Sequence, residues 1–145
     1  MKRLSFALAF MATTAVAAPP AEKDSDEKVG ARRSALELAG AWTNDGFKLR
    51  DGHFSGTFKI GEPKFVRVNL YSGNQYWFTI AGTDKAKKVA VQVFDEGGKP
   101  VEFEAYFDGA RAAAGFAPKA SGPYLLKLEE LEGEPSAFAL VYSYR

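Results

Sequence analysis

Across residues 54–144, apolar and polar side chains alternate in short runs, each closed by Gly, Asn, Asp or Pro. A period of two is the spacing of a strand with one buried and one wet face. Phe54, Phe58 and Ile60 share one phase, Gly61-Glu62-Pro63 turns the chain, and Val66, Val68 and Leu70 resume the phase. After Ser72-Gly73-Asn74, the set Tyr76, Phe78 and Ile80 alternates with Gln75, Trp77 and Thr79. Val89, Val91 and Val93 follow, closed by Asp95-Glu96-Gly97-Gly98-Lys99, where glycine is available for positive φ. Val101, Phe103, Ala105 and Phe107 alternate with Glu102, Glu104 and Tyr106, and residues 111–117 form a weaker, alanine-rich strand. Tyr124, Leu126 and Leu128 make the next inward set. The run Glu129-Glu130-Leu131-Glu132-Gly133-Glu134 reads as a charged hairpin loop, and Phe138, Leu140, Tyr142 and Tyr144 complete the pattern. About eight strands spaced near ten residues predict a mainly β fold. We expect a single antiparallel β-sandwich of jelly-roll type, not a parallel sheet with crossover helices.

The first 18 residues break this pattern. Met1-Lys2-Arg3 is positive, Leu4 opens an apolar stretch too short to span a bilayer, and Ala15-Val16-Ala17-Ala18 supplies the small residues of a cleavage site after Ala17 or Ala18. Residues 1–18 therefore read as a secretory signal peptide and the protein as periplasmic or secreted. Pro19-Pro20 and the charged residues up to 30 read as a flexible linker. Residues 31–39 are good helix formers ending at Gly40, so a short N-terminal helix opens a sandwich domain over 31–145, with Trp42 anchoring it to the sheets.

Composition narrows the function. The 19 basic and 18 acidic residues, less Lys2 and Arg3, leave the mature chain near neutral and without a basic stripe for nucleic acid. Cysteine is absent, so the fold stands without disulfides and no lipid attachment site follows the signal. No later segment is long and apolar enough for membrane insertion. The oligomeric state is left open.

Residues 49–145 resemble the bacterial pre-peptidase C-terminal domain family (PPC-like) and related exported jelly-roll sandwiches. The matching residues are Gly73-Asn74-Gln75-Tyr76-Trp77-Phe78, then Val89-Ala90-Val91-Gln92-Val93-Phe94-Asp95 with Gly97-Gly98, Phe116-Ala117-Pro118, and Gly122-Pro123-Tyr124-Leu125-Leu126-Lys127-Leu128. In the last, Gly122 lets the chain turn tightly before Tyr124 enters the core with its hydroxyl directed to a polar rim. The resemblance implies an accessory domain of secreted enzymes, engaged in substrate binding or secretion. It also raises calcium as a cofactor, because some relatives bind it through acidic loops. Asp84, Asp95, Glu96 and Asp108 lie in loops here but lack the spacing of a D-x-D-x-D-G ligand run, so no cofactor and no metal are expected.

Catalytic chemistry finds little support. His53 is the single histidine, insufficient for a His-based metal site and a general base only in isolation. No serine sits in a G-x-S-x-G elbow, and no glycine run follows a βα unit to cradle phosphate. Glu102 and Glu104 share a strand face, the ordinary arrangement of a solvated surface. The residues best suited to grip a ligand are aromatics on the outward phase: Trp77, Phe65, Tyr71, Phe94 and Tyr106. Such rings stack on sugars or on a partner peptide, unless the second sheet or the N-terminal helix with Trp42 covers them. The sequence thus predicts an exported, non-catalytic binding module for a carbohydrate or an envelope or secreted protein. The alternatives are a structural or accessory protein assisting another envelope protein, and an unrecognised hydrolase.

Overall fold

The computed structural model describes residues 25–145; the expected signal peptide and the first part of the expected linker lie outside the described residues. The described chain runs α1 (Asp26–Asn44), β1 (Lys48–Leu49), β2 (Phe54–Thr57), β3 (Lys64–Leu70), β4 (Tyr76–Gly82), β5 (Ala86–Asp95), β6 (Glu104–Asp108), β7 (Arg111–Phe116), β8 (Gly122–Gly133) and β9 (Ala137–Tyr144). All strand pairs are antiparallel. One sheet has the order β1-β9-β4-β7-β6, with β2 also on β9; the other has the order β3-β8-β5. Lys48 pairs with Tyr144 and Phe54 with Leu140, so β1 and β2 are two halves of one interrupted edge strand along β9.

The sheets close face to face over the inward positions that the alternation picks out. Val68, Leu70, Val89, Val91, Val93, Leu126 and Leu128 meet Tyr76, Phe78, Ile80, Phe138 and Leu140 in one cluster. Each such side chain contributes roughly 1.5–3 kcal/mol on full burial. Phe58 lies on Phe138 at 4.0 Å between ring centroids, and Gly56 leaves the space that the Phe138 ring occupies.

Three expectations are corrected. Phe54 and Ile60 are exposed, because β2 is an edge segment ending at Thr57 and the chain turns Phe58 alone into the core. The supposed strand over 101–107 is split. Val101 folds back on β5, its N–H donating to the Val93 carbonyl, and β6 begins only at Glu104, where Phe107 is exposed because the narrower sheet does not reach it. The supposed charged loop over 129–134 is largely strand: β8 continues to Gly133 with Glu130 fully buried.

The helix is longer than the composition suggests. It starts at Asp26, inside the stretch read as linker, because Ser25 caps it through Lys28 N–H and Asp26 and Glu27 complement the dipole of the first turn. It runs through Gly40 and stops at Asp45-Gly46, where Gly46 takes φ 90°. Phe47 N–H donates to the Trp42 carbonyl and Gly46 N–H to that of Thr43, the paired bonds of a Schellman stop. Ala31, Ala35 and Ala39 form a stripe of small buried residues at spacing four. Ala35 and Ala39 meet Ala81 and Val141, so α1 lies close on the outer face of the wider sheet. The N-terminal end is held by Lys85 Nζ on Glu27, 2.7 Å. No described helix is long and apolar enough to cross a membrane.

Candidate functional site

Two loops meet at one end of the sandwich: residues 71–75, joining β3 to β4, and residues 117–121, joining β7 to β8. The ladder brings them together, since Leu70 pairs with Gly122 at the end of β3. Gly73 (φ 91°) makes the first turn. Beneath it the buried Tyr76 directs its hydroxyl up into the loop, where Oη accepts from Tyr71 N–H at 2.9 Å and from Asn74 Nδ2 at 3.2 Å. Tyr124 holds the second loop in the same manner, donating from its hydroxyl to the Ala120 carbonyl at 2.7 Å. This is the rim contact expected of a tyrosine following Gly122. The loops are tied across by Ser72 N–H donating to Ser121 Oγ at 2.8 Å, with Ser121 Oγ donating on to Ser72 Oγ at 3.3 Å. Tyr71 stands at the tip, 61% exposed.

Beside the loops lies a cleft of about 1190 Å³ whose lining includes Tyr76, Phe116, Tyr124, Lys119, Glu102 and Arg145. Its wall is fixed by the chain terminus. Arg145 and Gln75 exchange backbone hydrogen bonds at 2.9 and 3.0 Å, Arg145 Nε donates to Gln75 Oε1 at 2.8 Å, and its guanidinium lies over the Phe47 ring. The cleft holds a mixture of aromatic surface and both charge signs.

The five predicted aromatics fall in three places. Tyr71 is at the loop end. Phe65 (58% exposed) and the half-buried Phe94 lie on the open outer face of the narrow sheet, on β3 and β5, with Arg67, Leu125 and Phe94 in one row. Arg67 pairs with Glu96 at 3.3 Å, both exposed. Trp77 and Tyr106 are on the helix-covered face. Trp77 lies against Gly115 on one side and is stacked on Trp42 at 3.9 Å on the other, while Tyr106 meets Trp42 edge-on at 6.1 Å. Neither face of Trp77 is left for a sugar ring; covering by the helix and Trp42 is the arrangement found. Sequence reasoning did not single out Ser72, Ser121 or the Tyr76 hydroxyl. Their signal was a Ser-Gly turn placed a few residues before an inward tyrosine, occurring twice.

Other chemistry is sparse. His53 is exposed between β1 and β2. Asp95 Oδ1 accepts from Lys99 N–H, and Asp108 pairs with Arg111. Among the described residues no three His, Cys, Asp or Glu side chains gather to hold a metal ion. Glu130 is the exception in character: it is buried in the core, and neither carboxylate oxygen reaches a hydrogen-bond partner. Burial pushes its carboxyl above the usual range; the Ser136 backbone amide, nearby but outside hydrogen-bond geometry, opposes this in part.

No protein-family model matches the chain, and no curated protein matches it in sequence. Among solved structures it is similar to PliG of Aeromonas hydrophila, described as a periplasmic lysozyme inhibitor of g-type lysozyme. The two share 23% identity over 65% of this chain and 85% of that one, with a TM-score of 0.50. At that identity the likeness is one of fold: this chain is a β-sandwich of the same kind as that inhibitor.

Proposed function

We propose that the protein is a non-catalytic, protein-binding module of the cell envelope, and that it grips its partner with the paired loops at 71–75 and 117–121. The carrying observation is their preorganisation. Buried tyrosine hydroxyls hold both loops from below, and the Ser72–Ser121 contacts lock them together. A surface already ordered loses little conformational freedom on binding, which is the property of tight, rigid inhibitors. Tyr71 supplies an aromatic anchor at the tip. The partner class to test first is a lysozyme, because the similarly folded PliG is described as an inhibitor of g-type lysozyme. The predicted signal peptide supports a periplasmic or secreted location, where such an enzyme would be met.

The test is clearance of a cell-wall suspension by g-type lysozyme, with and without equimolar protein, alongside calorimetric titration of the pair. We expect slowed clearance, a stoichiometric complex, and loss of both in Tyr71→Ala. Full clearance with no heat of binding would remove lysozyme as the partner. Unchanged binding by Tyr71→Ala would move the contact off the loop end. A second reading, sugar binding, is favoured only by the exposed Phe65 on the open face of the narrow sheet; polysaccharide retention lost in Phe65→Ala would support it.

A further inference from the structure

The outer strands differ in how well they are guarded against pairing with another chain. A bare edge strand offers unpaired N–H and C=O groups, and folded proteins usually blunt it with charge, bulges, proline or a break. Edge strand β3 carries Lys64 and Arg67, β5 has register shifts between Ala86 and Val89, and the β1–β2 edge is interrupted. Strand β6 is guarded only by the acidic Glu104 and Asp108. It carries no Lys, Arg or Pro, its register with β7 is unbroken from Glu104 to Asp108, and all five residues are exposed.

The hairpin fixes which backbone groups face outward. Asp108 pairs with Arg111 across the two-residue turn Gly109-Ala110, with Gly109 at φ 59°. The pair closing such a turn exchanges both its hydrogen bonds, and pairs then alternate. The N–H and C=O of Ala105 and Phe107 therefore point away from β7, and no backbone bond from elsewhere among the described residues meets them. Glu104, Tyr106 and Asp108 stand on one face of the strand, with Ala105 and the 57%-exposed Phe107 on the other.

Charge decides the occupant. A second copy pairing antiparallel about Tyr106 would set Glu104 opposite Asp108 twice, a like-charge contact that opposes sheet extension. Glu102 and Glu104 have no ionic partner among the described residues, whereas Asp108 is held by Arg111. We propose that β6 is a docking edge for an extended, cationic segment of another protein. That segment adds to the sheet beyond β6, placing Lys or Arg beside Glu104 and apolar side chains on Phe107. The proposal does not rest on the lysozyme reading, although Glu104 lines the cleft beside the loops.

The test is a titration of ¹⁵N-labelled protein with a synthetic peptide alternating lysine and valine, against one alternating glutamate and valine. The proposal expects amide shifts centred on residues 104–108, slowed hydrogen exchange at Ala105 and Phe107, and affinity about tenfold or more above that of the acidic peptide. Glu104→Lys, an exposed change that the fold tolerates, should reverse the preference. Shifts centred elsewhere, equal affinity for the two peptides, or lysine–valine binding undiminished in Glu104→Lys would overturn it. So would protection of the same amides by self-association alone, seen as a concentration-dependent dimer in sedimentation.

Discussion

The indole of Trp42, near the end of α1, lies parallel to that of Trp77 on β4, with centroids 3.9 Å apart and planes 4° from parallel. Trp42 also donates from Nε1 to Thr79 Oγ1 at 3.0 Å, so one residue both stacks and hydrogen-bonds the helix to the sheet. These are the chain's two tryptophans, so the pair has its own optical signature. Trp42→Ala should abolish the exciton couplet of the stacked indoles and destabilise the fold by about 2–4 kcal/mol. It should also open Trp77 to acrylamide quenching. A retained couplet in Trp42→Ala would contradict the stacking.

Gly115 is required by the same stack. A Cβ built there would come within 2.8 Å of the Trp77 ring, a contact that forces the indole to move. Gly115→Ala should therefore cost about 1–3 kcal/mol through overpacking and weaken the couplet. In Trp77→Ala the obstruction is gone. A double-mutant cycle should find the Gly115→Ala penalty largely erased in that background; additive penalties would show that the glycine is needed for some other reason.

The inward phase was legible because period-two apolar runs have few alternatives: Val89, Val91 and Val93, or Tyr124, Leu126 and Leu128, occupy the core as the alternation demands. The second covered face was less legible. Thr79, Ala81, Ala113 and Ala139 stand on the outward phase yet are buried beneath α1 and its surroundings. Small residues there meant a close-packed helix, not a weak strand. Charge misled twice, for different reasons. Asp26 and Glu27 read as linker although acids after a Ser cap begin a helix. Glu130 read as loop because a carboxylate seldom enters a core unpaired. The aromatic candidates could not be sorted by sequence, since exposure of Trp77 against Phe65 depends on which sheet the helix covers. The loop site was half visible. The turn glycines and Tyr124 stood out, but the Ser72–Ser121 tie needs the register of β3 and β8.

Tyr76 serves the loop through a single atom. Its hydroxyl is the acceptor for both Tyr71 N–H and Asn74 Nδ2, while its ring belongs to the core. Tyr76→Phe should preserve the ring packing and cost about 1–2 kcal/mol for the lost bonds. Hydrogen exchange should quicken at Tyr71 while the amides of β4 and β9 stay protected. Uniform acceleration across the sheets would show instead that the hydroxyl supports the whole fold.

Glu130 gives stability a pH dependence opposite in sign to that of an ordinary ion-paired acid. Its carboxyl is buried without a hydrogen-bond partner, and burial raises its proton affinity above that of the unfolded chain. Between the two pKa values the folded state binds more protons than the unfolded state, so stability falls as pH rises. The loss begins near the unfolded value of about 4.3 and is complete once pH passes the raised folded value. Removing the charge should therefore stabilise the protein at neutral pH. Glu130→Gln should raise the urea midpoint at pH 7. Glu130→Leu, which leaves no unsatisfied polar atom, should raise it further, with a gain of about 1–3 kcal/mol. Both gains should shrink as pH is lowered through the titration of Glu130, because the wild-type carboxyl is then neutral too. A Glu130→Gln curve parallel to wild type at every pH would mean that this carboxylate meets water or a cation in solution.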